Sequence, residues 1–254
     1  MKVIKLLLVV LLVSSIFLGC SGKNTVEVNA KENSVSSSTD SPVESDDIIT
    51  KSYDLHDFKS FDVSNSIKVK ISKSDTYSVK VTTSQDVFDI LDIRVDEETF
   101  IAGFKPNMQL NNEEVFIEIT CMDVKDINIV NSATIRIDTP FEMNEENKIK
   151  VVNSAYLNGN LSGKSIEMEA VNSGKIKLSG SFDNVDAKAT NSASIDLTNL
   201  TIKNAKATLA NSANITIGVE EEIKIKANNS SSITLLKGKI VEQSVDDGSN
   251  LIIK

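Results

Sequence analysis

With 254 residues, 40% hydrophobic and 25% charged, the chain has room for one large domain or two small ones and can bury a core. A formal charge of −9 works against binding a phosphate backbone, so no nucleic-acid partner is expected. Low aromatic content, no Trp, three Pro and abundant Ile, Val, Ser, Thr and Asn favour strands over helices.

Residues 1–19 carry Lys2 and Lys5, then an apolar run from Leu6 to Leu18, the pattern of a secretory leader. That run is short for a membrane span. Gly19-Cys20-Ser21 after it resembles the lipobox of bacterial lipoproteins, with Phe17 and Leu18 where the motif commonly has Leu and a small residue. The resemblance implies acylation of Cys20, which becomes the mature N-terminus, and an extracytoplasmic chain held to the bacterial membrane by lipid. In an envelope with two membranes the site is the outer membrane or cell surface. Ordinary secretory cleavage and an uncleaved anchor are the alternatives. Residues 20–50 are mostly Ser, Thr, Asp, Glu and Asn, too polar to bury a core, and read as a disordered tether.

Residues 51–125 form an N-terminal β segment. Phe61, Val63, Asn65, Ile67, Val69 and Ile71 alternate, and strands are predicted over Tyr77–Val81, Ile90–Val95, Phe100–Phe104 and Val115–Cys121. Asp86–Leu91 fits a short helical turn. The aromatic residues gathered here, among them Phe58, Phe61, Phe88 and Phe100, are expected to close one end of the structure that follows.

Residues 126–254 repeat. Asn-Ser-Ala at Asn131 returns in close copies at Asn153, Asn172, Asn191, Asn211 and Asn229, with Asp247-Gly248-Ser249 as a degenerate seventh. The intervals are 22, 19, 19, 20, 18 and 18 residues. A near-constant period of this size predicts an all-β parallel β-helix, or β-solenoid, with rungs of about 19 residues. Counting in twos through Asn191 puts Val185, Ala187, Ala189, Ala193, Ile195 and Leu197 on one face with the asparagine among them. The count therefore predicts an inward asparagine ladder of Asn131, Asn153, Asn172, Asn191, Asn211 and Asn229, each amide bonded to the next. Outward columns such as Lys148, Glu167, Asp186, Lys206 and Lys224 should pair across rungs. Asn65-Ser66-Ile67 keeps the same phase and reads as an early, diverged rung. The last rung, at Leu251–Lys254, is expected to leave an edge that could pair with another molecule.

The lead-in from Phe58 to Val69, the strand from Val115 to Thr120 and the strand-Asn-Ser-Ala-strand units closing near Gly238 resemble the head GIN domain family of auto-transporter adhesin-like proteins. The resemblance covers roughly Tyr53 to Lys254. Where that family commonly has Ser-Gly-Ala-Gly, this chain has Asn-Ser-Ala. What the resemblance implies is a β-helix-like fold on secreted or lipid-anchored bacterial proteins, with adhesion as the function; it brings no catalytic residues.

Material for catalysis is thin. His56 is the one histidine and fits an ordinary surface position. Cys121 shares the phase of Val115, Ile117 and Ile119, which makes it a buried small hydrophobe rather than a nucleophile. No cofactor and no metal site are expected. Val130, Val152 and Val171 precede three successive asparagines on the outward face, with Tyr156 close by; this stripe is a candidate contact with a second copy or a partner.

Binding or adhesion without catalysis is thus the leading expectation, the partner being the membrane through a lipid anchor and an unidentified surface ligand, protein or glycan. The second is a structural or accessory envelope protein serving a membrane complex. The third, a calcium-dependent polysaccharide lyase, predicts a bound metal and cleavage of an acidic glycan.

Overall fold

The computed structural model describes residues 48–108, 113–144 and 146–254. The leader, Cys20 and most of the stretch read as tether lie outside the described residues, as does part of the loop after Asn107. Among the described residues, no helix is long and apolar enough to cross a membrane.

The described residues are nearly all β and wind into a parallel solenoid of about seven turns with rungs of about 19 residues. Strand β1 (Ile48–Tyr53) begins inside the stretch read as tether. Strands β2 (Ser60–Ser64) and β3 (Lys68–Lys73) flank the corner at Asn65. Next come β4 (Ser78–Ser84), a 3₁₀ turn over Gln85–Asp89, β5 (Leu91–Asp96), β6 (Thr99–Phe104) and β7 (Phe116–Cys121). The rungs that follow are built from β8 (Ile127–Val130), β9 (Thr134–Ile137), β10 (Phe141–Met143), β11 (Asn147–Val152), β12 (Tyr156–Val171), β13 (Lys175–Thr190), β14 (Ser194–Ala210), β15 (Asn214–Ile217) and β16 (Glu222–Asn228). Strands β17 (Ser232–Leu235), β18 (Lys239–Val245) and β19 (Asn250–Ile253) complete the stack.

The order of rungs in space differs from the order in sequence. Strand β2 lies between β6 and β8, and β3 between β7 and β9, all in parallel. The β2–β3 rung is therefore second in the stack although first in the chain, and Asn65 stacks on Asn131, 66 residues on. The intervening segment closes the end: β4 pairs antiparallel with β7 and β1, and β5 antiparallel with β6. Under this cap Phe58, Phe61 and Phe100 are wholly buried, with Phe58 ring centroids 5.8 Å from Phe61 and 5.4 Å from Phe100.

Alternation puts Ile149, Val151, Leu157, Ile166, Met168, Ile176, Ala187 and their counterparts into one continuous core. The asparagines are the correction. Asn131, Asn153, Asn172, Asn191, Asn211 and Asn229 do bond rung to rung, Nδ2 of each donating to Oδ1 of the preceding one at 2.8–3.0 Å, with Asn131 donating to Asn65 at 3.2 Å. All six are exposed, so the ladder runs down the outside. The reason is dihedral. At every corner Asn and Ser both have φ between 50° and 63°, so two left-handed residues swing the asparagine outward while the next inward residue, such as Ala155 or Ala193, is fully buried. Because the corner takes two residues, the count in twos still holds on either side of it.

Corner backbone and side chains oppose one another. Ser132 N–H donates to Asn153 O in the next rung, whereas Asn153 Nδ2 donates back to Asn131. The ladder ends where Asp247 takes the place of an eighth asparagine, since a carboxylate has no proton to donate. There Asp246 Oδ2 accepts the Asn229 N–H at 2.7 Å. The Ser249 hydroxyl, then that amide, hold the Asp246 carboxyl below its usual range. The 20-residue interval before Asn211 is a bulge in β14, where Thr198 is inserted and donates its N–H and hydroxyl to Asp196 Oδ1 at 3.0 and 2.6 Å. Burial would raise the Asp196 carboxyl, but these bonds and Lys177 hold it below the usual range.

Asn191→Leu is expected to lower stability by about 1–3 kcal/mol, from forcing a branched residue into the left-handed region and losing two ladder bonds. Asn191→Gly, which keeps the dihedral and removes only the amide, should lose less. Urea melts of the two variants check this; equal losses would make the amide bonds the whole effect.

Candidate binding groove

The strands that precede the corners form one parallel face, ordered β6, β2, β8, β11, β12, β13, β14, β16 and β18. A hollow of about 440 Å³ runs across it from Glu146 to Val241, along the bend by which each rung enters this face. Three columns build it. Ser165, Asn184 and Asn204, all seven residues before their asparagines, form one wall, with Glu146 and Glu222 at its two ends in the same column. Ile166, Val185 and Ala205, the next residues along, make an apolar floor. Lys148, Glu167, Asp186, Lys206 and Lys224 form the far wall.

The far wall is charged but internally neutralised. Lys148 meets Glu167 at 3.5 Å, Lys206 meets Asp186 at 3.0 Å and Lys224 meets Glu242 at 3.3 Å. All are exposed pairs of small energetic worth, and they leave no lysine of this wall without a carboxylate. The predicted outward columns thus pair across rungs. On the near wall Asn204 is engaged, accepting from Glu222 N–H and donating to Glu221, both at 3.3 Å.

A second hollow of about 460 Å³ lies on the same face nearer the cap, on the other side of the column of Lys148 and Glu167, which it shares, and runs past Asp126, Asn128 and Ser60 to Thr99. Asn128 donates to Asp62 there at 3.1 Å, and Lys150 sits 3.6 Å from Glu169. The first hollow crosses six strand levels, those of β11, β12, β13, β14, β16 and β18. At a strand spacing of about 4.8 Å it is a trough roughly 24 Å long.

Residues singled out from sequence fall elsewhere. Val152 lies in register between Val130 and Val171, all half-buried, and the column continues as Thr190 and Ala210, so the apolar stripe is three residues long. Tyr156 is past the corner, in register with Thr134 and Lys175 rather than with the valines. His56 is exposed and bonds Asp57 Oδ2 at 2.6 Å. Cys121 is fully buried, and burial first, then Asp123, pushes its thiol up to about 12. A Cys20→Ser chain is expected to react with an aromatic disulfide reagent at pH 8 only after denaturant is added; rapid labelling of the folded protein would place Cys121 at an accessible site. Among the described residues no three His, Cys, Asp or Glu side chains are grouped to hold a metal ion. The sequence did not point to the trough, although its near wall could be found by reading the column seven residues before each asparagine.

The profile of the family described as "Putative auto-transporter adhesin, head GIN domain" matches residues 57–238. The fold is similar to a crystal structure from Bacteroides fragilis titled as a putative adhesin, with TM-score 0.74 and 16% identity over 83% of this chain and 97% of that one. A second adhesin-titled structure, from Parabacteroides merdae, has TM-score 0.65 and 15% identity over 82% and 96%. A structure from Parabacteroides distasonis, titled as a putative lipid binding protein, has TM-score 0.59 and 18% identity over 81% and 96%. No protein of curated function is detectably similar to this chain. Fold, repeat corners and family profile agree over the same residues, and the chain belongs to the head GIN domain family of auto-transporter adhesin-like proteins.

Proposed function

We propose that this is an extracytoplasmic, lipid-anchored binding protein of the adhesin type that acts without catalysis. The observation that carries this is the trough: a hollow across six strand levels of a rigid parallel face, lined by repeating polar side chains. Such a surface suits an extended ligand better than a compact one. Family membership supports adhesion, and the leader and Cys20 support export and lipid attachment. Two features favour binding over chemistry. The histidine is on the surface beside Asp57, and the one described cysteine is buried with a raised thiol.

Protease shaving of intact cells, comparing the natural chain with Cys20→Ser and probing for the solenoid, tests the proposal. The expected result is loss of the solenoid signal from intact cells with the natural chain, and release of the Cys20→Ser protein into the medium. Protection until the envelope is broken would remove the adhesin role and favour an accessory protein of a membrane complex.

A further inference from the structure

We infer that the trough binds an uncharged, linear oligosaccharide lying parallel to the axis of the stack. This rests on the binding function proposed above and adds the chemical class of the ligand.

Direction comes first. The trough crosses the strands at right angles, so a ligand in it passes successive rungs and meets the same three columns about every 4.8 Å. A polymer of like units suits a site of like units. An extended peptide is disfavoured, because its affinity for a sheet comes from backbone bonds at a free strand edge. Along the trough those backbone groups are already used between parallel neighbours.

Chemistry comes second. The floor of Ile166, Val185 and Ala205 is a narrow apolar strip between polar walls, suited to a ring with C–H groups on one face and hydroxyls at its edges. On the near wall the Asn184 amide is exposed and the Ser165 hydroxyl partly so, and neither has a partner among the described residues, which leaves donors and acceptors for hydroxyls. On the far wall the carboxylates and ammonium groups can bond a neutral hydroxyl without giving up their mutual pairing.

Charge comes third. Lys148, Lys206 and Lys224 each face a carboxylate, and the whole chain carries −9, so a polyanion would meet repulsion and no uncompensated cation on this wall. The trough has no aromatic residue between Glu146 and Val241 on which a sugar could stack. Affinity must then come from many modest contacts and should rise with the number of sugar units until the trough is filled.

The test is affinity electrophoresis of the full chain in native gels cast with soluble neutral polymers (a mixed-linkage β-glucan, a xylan, a galactomannan and a starch), with polygalacturonate and reduced, carboxymethylated lactalbumin as comparators. Oligomers of increasing length from the retarding polymer then serve as competitors. At least one neutral polymer is expected to retard the chain, and longer oligomers should compete better. Asn184→Arg, which fills the trough from an exposed position, should raise the dissociation constant at least tenfold. Ser165→Arg gives a second block should the first fail to fold, and Lys177→Ala, on the face beyond the corner, should bind as the natural chain does. Retardation by polygalacturonate or the unfolded polypeptide alone, equal binding by both trough variants, or no retardation by any polymer overturns the inference. A solenoid that is shaved from intact cells yet retarded by no neutral polymer loses this ligand class and keeps the binding function; one protected from protease loses both.

Discussion

Replacing Phe100 by Ala is expected to remove about 3–5 kcal/mol of stability. The ring is fully buried, stands 5.4 Å from Phe58 and 6.2 Å from Phe61, and belongs to the outermost parallel rung, directly under the antiparallel cap. A repeat protein can detach its end from its middle, because each rung touches only its neighbours. The urea midpoint should fall, and hydrogen exchange should show where. If protection is lost in β2–β9 while β13 and β14 keep theirs, the cap stabilises locally. Loss throughout would mean that the solenoid unfolds as one unit with its cap. An unchanged midpoint would contradict the packing of the three rings.

Gly180→Ala should cost about 2–4 kcal/mol from one methyl group. Gly180 has φ +115°, and a Cβ there would lie 2.1 Å from the Leu161 carbonyl oxygen of the adjacent rung. That oxygen belongs to a backbone held in register on both sides, so it has little room to retreat. Gly248→Ala is the matched control: its Cβ would have no neighbour closer than 3.8 Å and its substitution should stay within about 0.5 kcal/mol. Thermal melts of the pair separate backbone crowding from general sensitivity to lost glycine; similar losses would remove the crowding explanation.

Much of this was legible in the sequence because the solenoid writes its period into the chain. The count in twos through Val185, Ala187 and Ala189 found the buried face, and the spacing of the asparagines found the rungs. The same count put the asparagines inside, since alternation assumes extended backbone and two consecutive left-handed residues violate it. The identity of the pair carried the missing signal, because asparagine tolerates that region well. The cap was legible as aromatic and β-rich but not as antiparallel, and β1 starts in a polar stretch whose strand character comes only from pairing with β4. The trough escaped notice for a similar reason. Ser165, Asn184 and Asn204 look like ordinary surface residues one at a time and become a wall only when stacked.

The outward corner also bears on how such a protein changes length over generations. Each interior corner presents the same amide to the rung above and below, and neighbouring rungs match in register along both faces. An in-frame duplication of residues 172–190 would therefore insert a whole turn whose ends fit its neighbours without altering the cap. Each such event would lengthen the trough by one strand spacing of about 4.8 Å. Descendants of one gene could then differ in reach by whole turns while sharing the same chemistry at every level.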